Sequence, residues 1–295
     1  MTRRTAWTGY LRAALALCRP GVSLLAACSA LAGCLLAPQG LSARVLIPWV
    51  GVLVLACGAG ALNQVQERVT DARMERTRGR PLPAGKMRPR GAVVFAVLLL
   101  LVGTSVLAAG GRVAVALGVL AVAWYNGVYT RLKTLSAFAA VPGALTGAFP
   151  PAIGWVCGGG SLSDVRLYAL CLILFAWQVP HFWLVVMDRG REYEAAGLPG
   201  LTEVFTAVQI RRLVSFWILG TAACSLLLSL GSLVRAPATR YALAGLSLWL
   251  GAQAVAFRLA PGRTGAAMFR RMNQYMVSLL VLACSDGLLA MLGLI

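Results

Sequence analysis

The chain has 295 residues, 59% of them hydrophobic and 12% charged, and carries a net charge of +18. This composition excludes a soluble domain built around one core, because several apolar runs reach the roughly 20 residues that cross a bilayer about 30 Å thick. The positive charge does not point to nucleic acid either, since its placement along the chain follows membrane topology.

Nine spans are predicted, at about 20–37, 44–62, 92–109, 113–130, 139–157, 166–187, 212–234, 241–259 and 273–294. On this topology 22 of the 27 Lys+Arg fall on the side of the N-terminus. The positive-inside rule then places the N-terminus in the cytoplasm and the C-terminus outside. The fold expected is an all-α membrane protein of about nine transmembrane helices, with 1–19 a cytoplasmic lead-in and 20–295 the membrane domain. The lead-in MTRRTAWTGYLRAALALCRP is basic and has no A-x-A site before the first span, so it does not read as a cleaved signal. Eight scattered cysteines without a CxxC read as small packing residues.

The second span runs directly into LNQVQERVTDARMERTRGRPLPAG, residues 62–85. If the helix continues past the membrane surface, Asn63, Glu67 and Asp71 share one face. Like charges four residues apart repel by a few tenths of a kcal/mol, and carboxylates at a membrane interface lose hydration. A divalent cation offsets both costs. Mg²⁺ typically takes one or two carboxylates together with substrate phosphates, and Arg68, Arg76 and Arg80 beside them suit phosphate oxygens. The plainer alternative is a solvated loop whose acids pair with its arginines.

The fourth span ends in WYNGVYTRLK, which brings Tyr125, Tyr129 and Lys133 to the same side, and Lys133 can reach phosphate. The fifth carries Pro142, Gly143, Gly147, Pro150 and Pro151, and broken helices are tolerated where they line a protein cavity. The sixth contains the sole histidine, His181, after Pro180 and among Trp177, Gln178, Phe182 and Trp183. An intramembrane imidazole is a candidate for haem ligation or proton transfer, or a hydrogen-bonded packing residue. A second acid group follows: Asp188 and Glu192 on one helical face, then Glu194 and Glu203, with Arg191 between them. Seven of the nine acids therefore lie in two segments on one membrane side. Two such faces could hold Mg²⁺ around a diphosphate, with Asn63, Glu67, Asp71, Asp188 and Glu192 as ligands.

Taken together, these segments resemble the haem branch of the UbiA-type intramembrane prenyltransferases, the protoheme IX farnesyltransferases or haem O synthases. The family's first signature is matched by Asn63, Glu67, Arg68, Asp71, Met74, Arg76, Thr77, Arg80, Pro81 and Leu82. YTRLK, PGALTGAFPPAIGW, WQVPHFW and FRRMNQYMVSLLVLA are further matches, and the resemblance covers about 18–292. The chain departs from the signature in having Glu67 for an aspartate and Val69 for the middle aspartate, and in reading Arg191-Glu192-Tyr193 at the second site.

The resemblance implies a ring of helices around a membrane-level cavity in the cell inner membrane. It implies transfer of farnesyl from farnesyl diphosphate to a vinyl group of haem b, which is substrate and not cofactor. It further implies Mg²⁺, two per site, on Asn63, Glu67, Asp71 and Glu192; Asp188, one turn before Glu192, matches no usual acid of the family and joins the set by its position alone. Catalytic roles fall to Asn63, Glu67, Asp71 and Glu192, and diphosphate binding to Arg68, Arg76, Arg80, Lys133 and Arg191. Tyr125 and Tyr129 are the candidates for stabilising an allylic cation, and His181 and Trp183 for contacting haem. Expected partners are membrane lipids and haem A synthase or oxidase assembly factors, and no nucleic acid. The alternatives are a related enzyme acting on a quinone precursor or other aromatic acceptor, a transporter, and a non-catalytic haem-binding or oxidase-assembly relative.

Overall fold

The computed structural model describes residues 3–39, 45–260 and 262–294, apart from the side chains of 3–8 and of Arg191. The described residues are helical and contain no strand. A short helix α1 (Arg3–Leu17) leads into α2 (Pro20–Leu36), followed by α3 (Leu46–Arg73) and α4 (Pro89–Ala108). Then come α5 (Arg112–Leu132), α6 (Ala137–Cys157), α7 (Val165–Ala195), α8 (Ala207–Leu230), α9 (Pro237–Leu259) and α10 (Gly265–Met291). Eight of these are long and apolar enough to cross a membrane. A ninth span arises if Gly9–Leu17 and α2, bent by 48° at their junction, count as one.

Local chemistry sets the helix ends. Pro20, Pro89 and Pro237 open α2, α4 and α9 within the first turn, where a missing N–H costs nothing. The Asp164 side chain accepts from Arg166 N at 2.9 Å to cap α7, and the Thr264 hydroxyl accepts from Ala267 N at 3.2 Å to cap α10. The expected spans at 44–62 and 166–187 run on beyond their expected C-terminal ends, as α3 and α7. The kink of α7 falls at Arg189 (φ −130°, ψ 21°), beyond Pro180, and turns the end of the helix.

Neighbouring helices pack in chain order from α2 to α10, and α10 returns against α2, which closes the ring. Without lipid-excluded water to drive association, helices in a bilayer gain by close backbone approach over small residues. At the α2–α6 crossing a Cβ on Gly154 would collide with the Ala30 carbonyl, and one on Gly33 with the Pro151 carbonyl. At the ring closure a Cβ on Gly287 would meet the Leu35 carbonyl at 2.8 Å.

The end opposite the acid loops has its own lock. Asp286 on α10 is fully buried and accepts from Arg235 N at 2.9 Å and Ala236 N at 2.8 Å, at the start of α9. Its charge meets the positive end of a helix dipole. This explains why α8 stops at Leu230 and not at 234 as expected: Gly231–Ala236 forms the turn that offers those two N–H groups. Asp286→Ala leaves both donors unpaired, and the buried Ala236 N–H alone costs about 1–3 kcal/mol. The thermal unfolding midpoint in detergent is expected to fall by several degrees, with Asp286→Asn retaining part of the loss.

Candidate active site

The site forms where α3 leaves the membrane. The Asn63, Glu67 and Asp71 face of α3 points inward: Asn63 and Asp71 are at most 1% exposed and Glu67 8%. Val69, half a turn away, is 56% exposed. Asn63 Nδ2 donates to Glu67 Oε1 at 2.6 Å and to Thr130 Oγ1 at 2.9 Å. Lys133 Nζ is in contact with Glu67 Oε1. Arg80 NH1 donates to both Asp71 oxygens, at 2.8 and 2.6 Å, and Thr77 Oγ1 closes the turn on the Asp71 carbonyl at 2.8 Å.

The end of α5 is held in register with α3 by a π-helical turn, Ala123–Tyr129. Its extra residue swings Asn126 inward, where Nδ2 donates to Ala59 O at 3.0 Å and Gln66 Oε1 at 3.1 Å. Gln66 Nε2 returns a bond to Asn126 O at 3.0 Å. Such turns recur at functional sites because they re-aim side chains. This one sets the phase of Tyr125, Tyr129, Thr130 and Lys133.

Arg19 joins this group, although the sequence reading passed over it as a topology charge. It sits at the break between α1 and α2 with φ 47° and ψ 60°, and its NH1 donates to Tyr125 Oη at 3.2 Å. A left-handed non-glycine residue stores about 1–3 kcal/mol of strain and is held only by its surroundings. Burial lowers Arg80 from the ordinary arginine range, and the positive charge of Arg19 lowers it further, against the pull of Asp71. Arg19 also repels Lys133. Arg19, Arg80 and Lys133 thus crowd around two carboxylates and leave an excess of positive charge at a membrane rim.

The second acid segment is brought to the first by a C-terminal cap on α7. Gly197 takes φ 73°, its N–H bonds Glu194 O at 2.9 Å, and Leu198 N bonds Tyr193 O at 2.9 Å. This closure seats Leu198 and Ala196 against Met74, with Tyr193 alongside. The loops after α3 and α7 are therefore in contact. Glu192 pairs loosely with Arg189 at 3.6 Å, and its buried Oε2 has no partner. Asp188 accepts from Ala266 N and lies against Gly265 at the N-terminus of α10, within electrostatic reach of Arg189. Arg68 is exposed and turns its NH1 to Val65 O at 3.1 Å, and Arg76 is exposed. The side chain of Arg191 lies outside the described residues.

Aromatic rings lead from the rim into the membrane. Tyr125 stacks on Tyr129 at 5.9 Å, Tyr129 on Phe182 at 5.6 Å, and Phe182 meets His181 edge-on at 6.0 Å. His181 lies between Trp177 at 4.5 Å and Phe269 at 4.6 Å. Asn273 hydrogen-bonds its ring, and its buried Nδ1 has no partner. Trp183 does not share this wall: it is buried against Trp217 on α8, edge-on at 5.9 Å.

Among the described residues no group of three His, Cys, Asp or Glu side chains forms a ready metal cage. The donor set fits Mg²⁺ in its other mode, one or two carboxylates completed by phosphate oxygens. Two buried oxygens without a partner, Asn63 Oδ1 and Glu192 Oε2, are suited to that role.

Residues 26–279 match the UbiA prenyltransferase family. A protoheme IX farnesyltransferase of Oleidesulfovibrio alaskensis is 36% identical over 281 residues, covering 94% of this chain and 97% of the relative. One from Geobacter sulfurreducens is 44% identical over 214 residues, 72% of this chain and 79% of the relative. Among solved structures, a UbiA homologue from Aeropyrum pernix superposes with a TM-score of 0.73 at 15% identity, over 92% of this chain and 98% of that one. A UbiA homologue from Archaeoglobus fulgidus bound to GPP and Mg²⁺ gives 0.67 at 13% identity, over 93% and 99%.

The unbalanced cations predict a response to anion alone. Inorganic diphosphate is expected to raise the thermal midpoint of the purified protein, and Arg19→Gln to reduce that rise at least by half. An equal rise in the variant would remove Arg19 from the site.

Proposed function

The chain belongs to the UbiA prenyltransferase family and is a multi-pass membrane prenyltransferase, and we propose from this that it transfers farnesyl from farnesyl diphosphate to a vinyl group of haem b, giving haem o. The observation that carries the reading is a buried acid face, Glu67 and Asp71, held by Lys133 and Arg80 at one end of an aromatic wall whose other end is His181. The distribution of Lys and Arg supports a cytoplasmic N-terminus and a rim on the cytoplasmic side of the cell inner membrane.

Asn63, Glu67 and Asp71 would hold one Mg²⁺ and Glu192 a second, while Asp188 anchors α10. The metal supplies neutralisation of charge on the departing diphosphate. Lys133 and Arg80 exchange their carboxylate partners for phosphate oxygens, which releases Glu67 and Asp71 toward the metal. Arg19 adds a third cation, and Arg76 and Arg191 lie nearby in sequence to extend the rim. The bond between the allylic carbon and diphosphate oxygen breaks with its electron pair leaving on oxygen. Tyr125 and Tyr129 present ring faces to the allylic cation, an attraction of about 0.5–2 kcal/mol per ring. The vinyl π electrons of haem form the new carbon–carbon bond. The cation left beside the porphyrin takes up water and releases a proton. His181, fixed by Asn273 between two rings, orients the haem and is the candidate axial ligand. Trp183 supports α7 from behind through Trp217. Haem A synthase or an oxidase assembly factor is the partner class that would receive the product.

Membranes containing the protein are expected to convert haem b and farnesyl diphosphate to hydroxyethylfarnesyl haem only with Mg²⁺, read by chromatography and mass spectrometry. Haem bound but unchanged, beside a working control enzyme, would favour the haem-carrier alternative, and a prenylated quinone precursor formed in preference would favour the related enzyme. Asp71→Ala is expected to lower turnover at least about 100-fold at saturating Mg²⁺; near-normal turnover would sink the metal assignment. His181→Ala is expected to change the spectrum of bound haem, and an unchanged spectrum would take His181 off the haem.

A further inference from the structure

A polar seam runs between α9 and α10, apart from the Glu67 and Asp71 face and beginning beside the N-terminus of α10 on which Asp188 rests. At its cytoplasmic end Arg263 and Arg271 both aim at one neutral acceptor: NH1 of each donates to Gln253 Oε1, at 3.1 and 2.6 Å. Among the described residues neither arginine has a carboxylate partner. Two guanidiniums converging on an amide oxygen leave most of their charge unmatched.

Below them lies a groove of about 310 Å³ lined by Leu246, Trp249, Gln274, Tyr275 and Ser278. The helical period connects the two features. Gln253, Trp249 and Leu246 descend one stripe of α9, and Arg271, Gln274, Tyr275 and Ser278 one stripe of α10. Gln274 and Ser278 are exposed. Tyr275 is fully buried and lines the groove, while its hydroxyl lies beside the buried Ser225 and Ser247. Polar groups that face hydrocarbon unpaired are unfavourable and mark a site where something polar docks.

We propose that this groove binds one anionic phospholipid. The order of donors matches such a molecule read from its headgroup inward. The phosphate sits on Arg263 and Arg271, where the leaflet carries its negative charge. Gln274 lies three residues, about 4.5 Å, deeper and Ser278 about 10 Å deeper. Their amide and hydroxyl meet the ester carbonyls, and an acyl chain follows Trp249 and Leu246. A free anion would use the arginines and leave the rest of the seam unexplained. A second protein copy would need apolar knobs where the seam offers charge. The proposal stands apart from the reaction assigned above.

Native mass spectrometry of the detergent-purified protein tests it, with added phosphatidylglycerol against phosphatidylcholine. One retained phosphatidylglycerol per chain is expected, with little phosphatidylcholine. The double change Arg263→Gln and Arg271→Gln is expected to lower occupancy at least tenfold. Ser278→Trp, which fills the groove without touching the arginines, should do the same, and Arg270→Gln should not. Wild-type protein labelled with photoactivatable phosphatidylglycerol, free of any folding question, should carry the label within 246–253 and 274–278. Undiminished occupancy in both variants, equal retention of phosphatidylcholine, displacement by millimolar inorganic phosphate, a dimer in place of bound lipid, or labels elsewhere would each overturn the proposal.

Discussion

The structure depends on pairing two buried carboxylates at the edge of a bilayer. Glu67 and Asp71 are buried, and an unpaired buried charge costs several kcal/mol, so each must be met where it stands. Lys133 comes from the end of α5 and Arg80 from the loop after α3. These two pairs therefore do more than neutralise. They tie the fourth span and the loop to the second span, and they leave positive charge over. A buried pair is weak evidence for stability in itself. Its value here is that either member can change partners when a more strongly charged ligand arrives.

Position along the membrane normal follows from the same constraint. The acid face can sit at the rim only if α3 and α7 run on beyond the expected ends of their spans, which both do. The α7 extension then has to turn back, and the kink at Arg189 and the cap at Gly197 do this. That turn carries Leu198 onto Met74, so a small apolar contact sets how far apart the two acid loops are. From the rim, Tyr125, Tyr129 and Phe182 lead inward to His181 without a gap larger than a ring contact. The acid rim and the histidine are therefore separate, connected places in one ring of helices.

Much of this was legible because it rests on spacing. The apolar runs located the spans, and the four-residue steps from Asn63 to Glu67 to Asp71 placed them on one buried face. What escaped depends on neighbours remote in the chain. Arg19 read as one of many topology charges, and only the break between α1 and α2 turns it to Tyr125. Asp188 read as a partner of Glu192 at helical spacing. The kink between them breaks that spacing, and the free N–H at the start of α10 takes Asp188 instead. Trp183 lies two residues from His181, so the helix sends the two to different sides, and Trp183 meets α8. The π-turn in α5 has no composition signal at all; it is fixed by Gln66 and Asn126 bonding each other across sixty residues.

The departures from the family signature take on a different weight with the fold in view. Val69 replaces an aspartate, yet it is 56% exposed on the side of α3 opposite the acid face. A carboxylate there would add charge to the rim without entering the Asn63, Glu67, Asp71 set. Glu67 replaces an aspartate within that set, and one more methylene lets its carboxylate meet both Asn63 and Lys133 while the backbone stays helical. Glu192 keeps a buried oxygen free. Substitutions that lower function would be expected to orphan a charge or break the pairing of α3 with α5. On α3 the buried face keeps both cations, Lys133 on Glu67 and Arg80 on Asp71, and the Val69 change falls on the exposed side.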